Sequence, residues 1–268
     1  GKARASFPYC VRQDMRSGAV TVYCPLLPDG SLPYWRALIE FARLSGSEGF
    51  PGSCKRANGM ALKRMLHGIV RATGDRPELL LVNSYGRIRQ RDWWPGISDS
   101  GLESGPLSYG PTGYEEPLGL AGSKLRILRI RSGLNGEVPD WFTDEVAAGG
   151  ADDGTVPNRR DKQGLFKMDG YFLALAPRPG DAQYKWSARG SKYDSPTAAF
   201  CEKTINEYCL LSPGGEAEAL ASVKYAEALR GCMVQLYKND MRVNLPAPLH
   251  LAEQVEEYIW DWELTGRR

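Results

Sequence analysis

Basic residues recur along this sequence at spacings that gather them onto single faces. In Tyr85-Gly86-Arg87-Ile88-Arg89-Gln90-Arg91 the arginines alternate, so a regular strand places all three on one side. Arg126, Arg129 and Arg131 mark a second basic strand, with a break in register between Arg126 and Arg129. Arg56, Lys63, Arg64 and Arg71 form a third stripe along a segment of helical period. Cations at this density neutralise phosphates and release counterions, although each stripe taken alone reads equally well as a solvated face. Trp93 and Trp94 follow the first stripe and precede Pro95. That pair either stacks on bases or anchors a loop. Near the C-terminal end His250, Glu253 and Glu257 fall at i, i+3 and i+7, which by itself is an acidic, solvated helix face.

Other chemistries lack their residues. Only two histidines are present, His67 and His250, which argues against a Ser-His-Asp site and against a histidine-rich metal centre. The six cysteines contain no CxxC pair, so they read as buried, reduced thiols rather than a zinc or redox motif. No GxxxxGK[ST] or GxSxG stands in the chain. The net charge of +2 announces no polyanionic partner, so the distribution of charge must make that case. Composition, at 42% hydrophobic and 25% charged residues, is ordinary for a globular protein, and 268 positions suit one large α/β domain or two small ones. No run approaches the roughly 18 apolar residues of a membrane span, and the first ten residues have no apolar signal region; a cytoplasmic protein is expected.

The elements that position these residues follow from periodicity. FPYCVRQD (7–14) and AVTVYCPLL (19–27) read as strands joined at Arg16-Ser17-Gly18. LPYWRALIEFARL (32–44) predicts a helix with Trp35, Leu38, Ile39 and Ala42 on its inner face. A second helix is expected over about 58–73, with Leu62, Met65, Leu66 and Ile69 inward. ELLLVN (78–83), a continuous apolar run, predicts a buried central strand; a place at a solvent-exposed edge would count against the fold reading given below. Further strands are expected at 124–131, 170–177 and 204–211, long loops at about 98–122 and 132–161, and closing helices at about 215–237 and 247–262. On the last helix Pro246 and Pro248 fix the start, and Leu249, Ala252, Val255 (or Glu256), Ile259 and Trp262 form the apolar stripe.

The segment VKYAEALRGCMVQLYKNDMRVNLPAPLHLAEQVEEYI (Val223 to Ile259), a helix ending in arginine, a polar turn and then Pro-Ala-Pro before an amphipathic helix, resembles the end of the PIWI domain of Argonautes. Its form LPxPLHLA…EEYI, with GLFKMDGYFLALAPRP (164–179) and TINEYCLLSPGGEAEAL (204–220) in the same order, is most similar to the prokaryotic PIWI-RE branch. The resemblance implies an α/β, RNase H-like fold with a central mixed sheet flanked by helices. It implies one such domain over 1–268, expected to be the C-terminal part of a longer protein.

The resemblance also implies a site. RNase H-type chemistry clusters carboxylates around two Mg²⁺ ions. Glu253, five residues after the Pro-x-Pro, matches the fourth metal-binding residue of active Argonautes. Asp14 is the only candidate for the first, though an aspartate there also suits a turn. Where the family shows Arg-Asp-Gly at the end of the central strand, this chain has Ser84-Tyr85-Gly86. A phenol that stays neutral near pH 7 does not replace a carboxylate, and neither Asn83 nor Ser84 restores an anion, while Asp92 lies too far along. Glu103, Glu115 and Glu116 are the candidates for a loop glutamate. Arg230 and Glu256 or Glu253 match the arginine and glutamate for which the branch is named, although Arg230 equally suits a cap on its own helix.

These residues point to a domain that holds a guide–target duplex, RNA and/or DNA, on Arg87, Arg89, Arg91, Arg126, Arg129, Lys63, Arg64, Arg230 and Glu256, with a degraded nuclease site. The resemblance places it in prokaryotic defence against plasmids and phage, beside a DinG-type helicase and a separate nuclease. Two alternatives stay open at this level: an active Mg-dependent endonuclease that uses Asp14 and Glu253, and a protein-interaction module docking through EEYIWDWEL.

Overall fold

The structure is a computed structural model and describes residues 7–47, 55–83, 93–99, 107–120, 122–132, 165–168, 170–175, 205–230 and 245–259. The chain forms two compact units, residues 1–78 with 86–125 and 245–268, and residues 79–85 with 126–244.

In the first unit, β1 (Cys10–Gln13), β2 (Val20–Tyr23) and β3 (Ser31–Pro33) make an antiparallel meander in which Cys10 faces Tyr23 and Thr21 faces Pro33. The first turn closes where the sequence places it, at Asp14–Gly18, with Gly18 at a left-handed φ of 73°. Helix α1 (Tyr34–Ser47) follows directly. Its buried face differs from the one expected. Ala37 and Phe41 are fully buried and Leu38 packs against the core as expected, whereas Trp35 and Ile39 are 58% and 62% exposed and Ala42 also faces solvent. The helix carries two apolar stripes at i, i+4, and the sheet takes the one with Ala37 and Phe41, whose ring lies 5.8 Å from that of Phe7. Phe7, Val22, Cys24, Leu27, Ala37 and Phe41 form the core together with Val255 and Ile259 from the C-terminal segment. Burial pushes the Cys24 thiol up to about 12, so it stays a neutral, inert thiol.

Helix α2 (Lys55–Thr73) buries Leu62 and Leu66, with Met65 and Ile69 half-buried, as its period predicts. The segment expected as an open loop at 98–122 contains a short hairpin, β5 (Ser108–Tyr109) with β6 (Glu116–Pro117), that lies against α2. A Cβ on Gly59 would stand 2.8 Å from the Pro111 ring, so the two backbones meet where only glycine fits. Trp94 anchors the hairpin: it is buried and its Nε1 donates to the Ser108 carbonyl at 2.8 Å. Trp93 is buried too. Both tryptophans are anchors, not base-stacking platforms.

The second unit is built on a five-stranded sheet. β4 (Glu78–Asn83), β7 (Leu125–Ser132), β8 (Leu165–Met168), β9 (Tyr171–Leu175) and β10 (Ile205–Leu210) lie in the order β4-β7-β10-β9-β8. The central position expected for 78–83 is corrected. β4 stands at the end of this strand order, and of its residues only Val82 is buried, the others being half-buried. Its first residue, Glu78, belongs to the first unit and pairs there with Arg12 of β1 at 2.6 Å. An apolar run specifies two covered faces, not the number of strands on either side. Helix α3 (Glu216–Arg230) covers one face of the sheet, through Arg126–Glu218 and Lys167–Glu216 ion pairs, each 2.6 Å, and a hydrogen bond from the Tyr208 hydroxyl to Glu227. Among the described residues no helix is long and apolar enough to cross a membrane.

Candidate nuclease site and nucleic-acid interface

Helix α4 (Ala247–Glu256) carries the motif on which the resemblance rests. Pro246 is its N-cap, in extended conformation, and Pro248 sits in the first turn. Val255 and Ile259 enter the core, worth about 1.5–3 kcal/mol each in removed apolar surface. Two buried-end tyrosines pin the helix: Tyr9 donates to the Ala252 carbonyl at 2.7 Å and Tyr34 to the Leu251 carbonyl at 3.0 Å. Desolvation holds the Tyr34 phenol up at about 12, so it remains a donor. At the far end, Ser45 of α1 donates to the Tyr258 carbonyl. Sequence reasoning overlooked both tyrosines, since an aromatic in a strand or helix start gives no sign of a carbonyl partner more than two hundred residues away.

Glu253 projects from the exposed side of α4, and Glu256 is half-buried. Asp14 ends β1 and works in the turn: its Oδ1 accepts from the Ser17 amide at 2.9 Å, the Arg16 amide at 3.0 Å and the Ser17 hydroxyl at 3.0 Å. Those bonds, the Ser17 amide foremost, hold its carboxyl below the ordinary aspartate range. Helix α4 is tied to the opposite end of β1, at Tyr9. A two-metal site needs several carboxylates that converge on shared ions. Among the described residues no group of three or more His, Cys, Asp or Glu side chains is gathered in this way. Ser84, Tyr85, Asp92 and Glu103 lie outside the described residues. Of the loop glutamates that are described, Glu115 is exposed, and Glu116 pairs with Lys63 of α2 at 2.5 Å, which holds its carboxyl low.

The basic stripes have unequal fates. Arg87, Arg89 and Arg91 lie outside the described residues. The open basic strand expected at Arg126, Arg129 and Arg131 is corrected. Arg126 turns to the α3 side and pairs with Glu218. Arg129 and Arg131 face the other way and are buried, the Arg129 side chain at 1% exposure, and both meet Glu207 of β10, at 3.3 and 2.5 Å. The Arg129 guanidinium also lies 5.7 Å from the Tyr171 ring centroid. Buried cations require such partners. Arg230 is buried and pairs with Glu227 on its own helix at 2.7 Å. Lys63 is largely covered and held by Glu116. On α2, Arg64, His67 and Arg71 remain exposed. The glutamates that matter here, Glu207 and Glu227, were legible only as acids within TINEYCLL and the following helix.

No curated protein matches the sequence. One family model, described as the RNaseH domain of pPIWI_RE, matches residues 1–261, which take in the proline-launched α4, the first meander and the five-stranded sheet; the chain belongs to that family.

Proposed function

We propose that this domain holds a guide–target nucleic-acid duplex and cleaves it poorly or not at all. The observation that carries the reading is the state of Asp14. The only carboxylate available at the family's first metal position spends one oxygen on three turn hydrogen bonds, and the position of the family's second carboxylate is a tyrosine, Tyr85. Membership of an RNase H-like family supports nucleic acid as the ligand. The duplex would be read by shape and backbone, without base-specific motifs. Arg87, Arg89 and Arg91 belong to this proposed interface. Arg126, Arg129, Lys63 and Arg230 instead support it from within, each committed to a carboxylate. Where cutting is needed in a defence system, a separate nuclease supplies it, with a DinG-type helicase opening the target, in the cytoplasm.

The test incubates labelled RNA–DNA, DNA–DNA and RNA–RNA hybrids with the protein and Mg²⁺ or Mn²⁺, scoring retention on a gel and strand scission in the same samples. Retention without scission is expected. Scission by the wild type that Asp14→Ala and Glu253→Ala both abolish would overturn the reading in favour of an active endonuclease.

A further inference from the structure

Helix α2 reads KRANGMALKRMLHGIVRAT: five lysines and arginines, and no aspartate or glutamate. The whole chain carries only +2, so everything outside this helix is net acidic. Such a helix is not made for its own stability. Surface helices gain from interleaved opposite charges at i, i+4, and α2 has none. It opens on Lys55-Arg56 with no acid in the first turn, where the macrodipole favours anions.

Elsewhere among the described residues seven cations are matched to carboxylates, Arg12 to Glu78, Arg43 to Glu40, Arg126 to Glu218, Arg129 and Arg131 to Glu207, Lys167 to Glu216 and Arg230 to Glu227, while Arg16 and Lys224 stand exposed on separate elements and Arg36 lies over the Trp35 ring. On α2 the hairpin takes only Lys63, whose Nζ meets Glu116 and the Tyr114 carbonyl. Arg64 and Arg71 stay exposed, with no carboxylate partner among the described residues. His67 stands between them, exposed, its ring centroid 5.1 Å from that of buried Tyr109. Arg64, His67 and Arg71 fall at i, i+3 and i+7, one face of the rod.

We infer that this face of α2 is a phosphate-tracking rail that runs along one strand of the bound nucleic acid; the inference rests on the duplex-binding reading above. From Arg64 to Arg71 the helix rises about 10.5 Å at about 1.5 Å per residue. Two long side chains at that separation reach two nearby phosphates of one backbone, each lost contact removing about 0.9 from the salt slope. The rigid spacing of planar donors suits phosphates, which guanidinium binds in bidentate fashion. The imidazole between them, steadied on Tyr109, adds a third donor. The contact carries no base information, so it serves any sequence. Glu116 has a place in this design: by holding Lys63 aside, it keeps the hairpin fastened to the helix without occupying the rail.

The experiment measures binding of a fluorescent 20-mer hybrid duplex by anisotropy across a salt series. It compares wild type, Arg64→Ala/Arg71→Ala and a charge-matched control, Arg16→Ala/Lys224→Ala, in which both replaced residues are exposed. The rail variant should lose about 1.8 from the slope of log K against log salt, two contacts of about 0.9 each, and bind up to roughly 60-fold more weakly at about 0.1 M salt. The control should follow the wild type. Arg64→Gln/Arg71→Gln, which keeps helix propensity and polar length, should behave like the alanine pair, and thermal melts verify that every variant is folded. A rail variant with wild-type slope and affinity overturns the rail and leaves duplex binding standing. A wild type that binds none of the hybrids overturns the binding reading itself. Polyglutamate displacing the duplex through the same two arginines at equal affinity overturns the assignment to nucleic acid.

Discussion

Strand β7 and helix α2 carry basic residues at similar density, and the structure treats them in opposite ways. On β7 the arginines are absorbed: Arg126 by Glu218, and Arg129 and Arg131 by Glu207 inside the sheet. On α2 one cation is tied to the hairpin and two are left to solvent. The difference teaches that a basic stripe acquires its role from the acids the fold brings to it. Glu207 lies 78 residues after Arg129 and 76 after Arg131, and only the antiparallel register of β10 against β7, Glu207 facing Arg131, delivers it. Among the described residues helix α2 meets only the short β5–β6 hairpin as a source of acid. There the carboxylate is Glu116, which takes Lys63. Structure consumes the charge on β7, and α2 leaves it available.

The largest effect that sharpens this contrast is expected at Glu207. Glu207→Gln keeps shape and a hydrogen-bonding oxygen but leaves two buried guanidiniums without their shared charge. Breaking a buried ion pair from one side costs about 3–5 kcal/mol, and the loss should appear in urea melts as a lower midpoint with unchanged slope. A change below about 1 kcal/mol would mean that β7 is not the structural member of the pair. A smaller effect is expected at Gly59→Ala. In an exposed helix interior that change stabilises by about 1 kcal/mol. Here the added methyl meets Pro111 at 2.8 Å, and forcing the hairpin away costs about 1–3 kcal/mol by overpacking. The sign decides the question: a more stable variant would show that the hairpin does not press on α2.

The local parts of this fold were legible, and the partners across the chain were not. Proline chemistry placed the start of α4 at Pro246, and the Arg16-Ser17-Gly18 turn fixed the first hairpin, because both signals act within a few residues. The inner face of α2 followed from its period. The face of α1 did not, since Trp35 with Ile39 and Ala37 with Phe41 have the same spacing and only the sheet beneath chooses between them. The sheet order defeated composition for a related reason: Leu79 to Val82 specify two covered faces, not a central place. At the site, the motif that identifies the family was readable at Leu245–Ala252, and Asp14 was readable as both ligand and turn residue; the turn role rests on amides of Arg16 and Ser17, within three residues. The acids that cancel the arginines were invisible as partners, because ion pairing across strands is a property of register.

The smallest expected effect on stability is the one that separates the two regions most cleanly. Arg64→Ala/Arg71→Ala removes two exposed cations that touch no carboxylate among the described residues, and surface changes of this kind stay within about 0.5 kcal/mol. Both replacements also raise local helix propensity slightly, and taking two like charges off an acid-free helix relieves repulsion at i, i+7 only weakly, since salt screens exposed charges about 10 Å apart at about 0.1 M. The melting midpoint should therefore remain within about 2 °C of wild type, given a few degrees per kcal/mol for a chain of this size. Arg129→Ala, the matching change on β7, strands Glu207 beside a single arginine and empties a buried volume over the Tyr171 ring, so its midpoint should fall well beyond that. If Arg64→Ala/Arg71→Ala melts as early as Arg129→Ala, the charges on α2 are structural like those of β7, and the weakened duplex binding of that variant would report unfolding rather than a lost phosphate contact. If it melts with the wild type while its salt slope drops, stability and binding are carried by different arginines of the same chain.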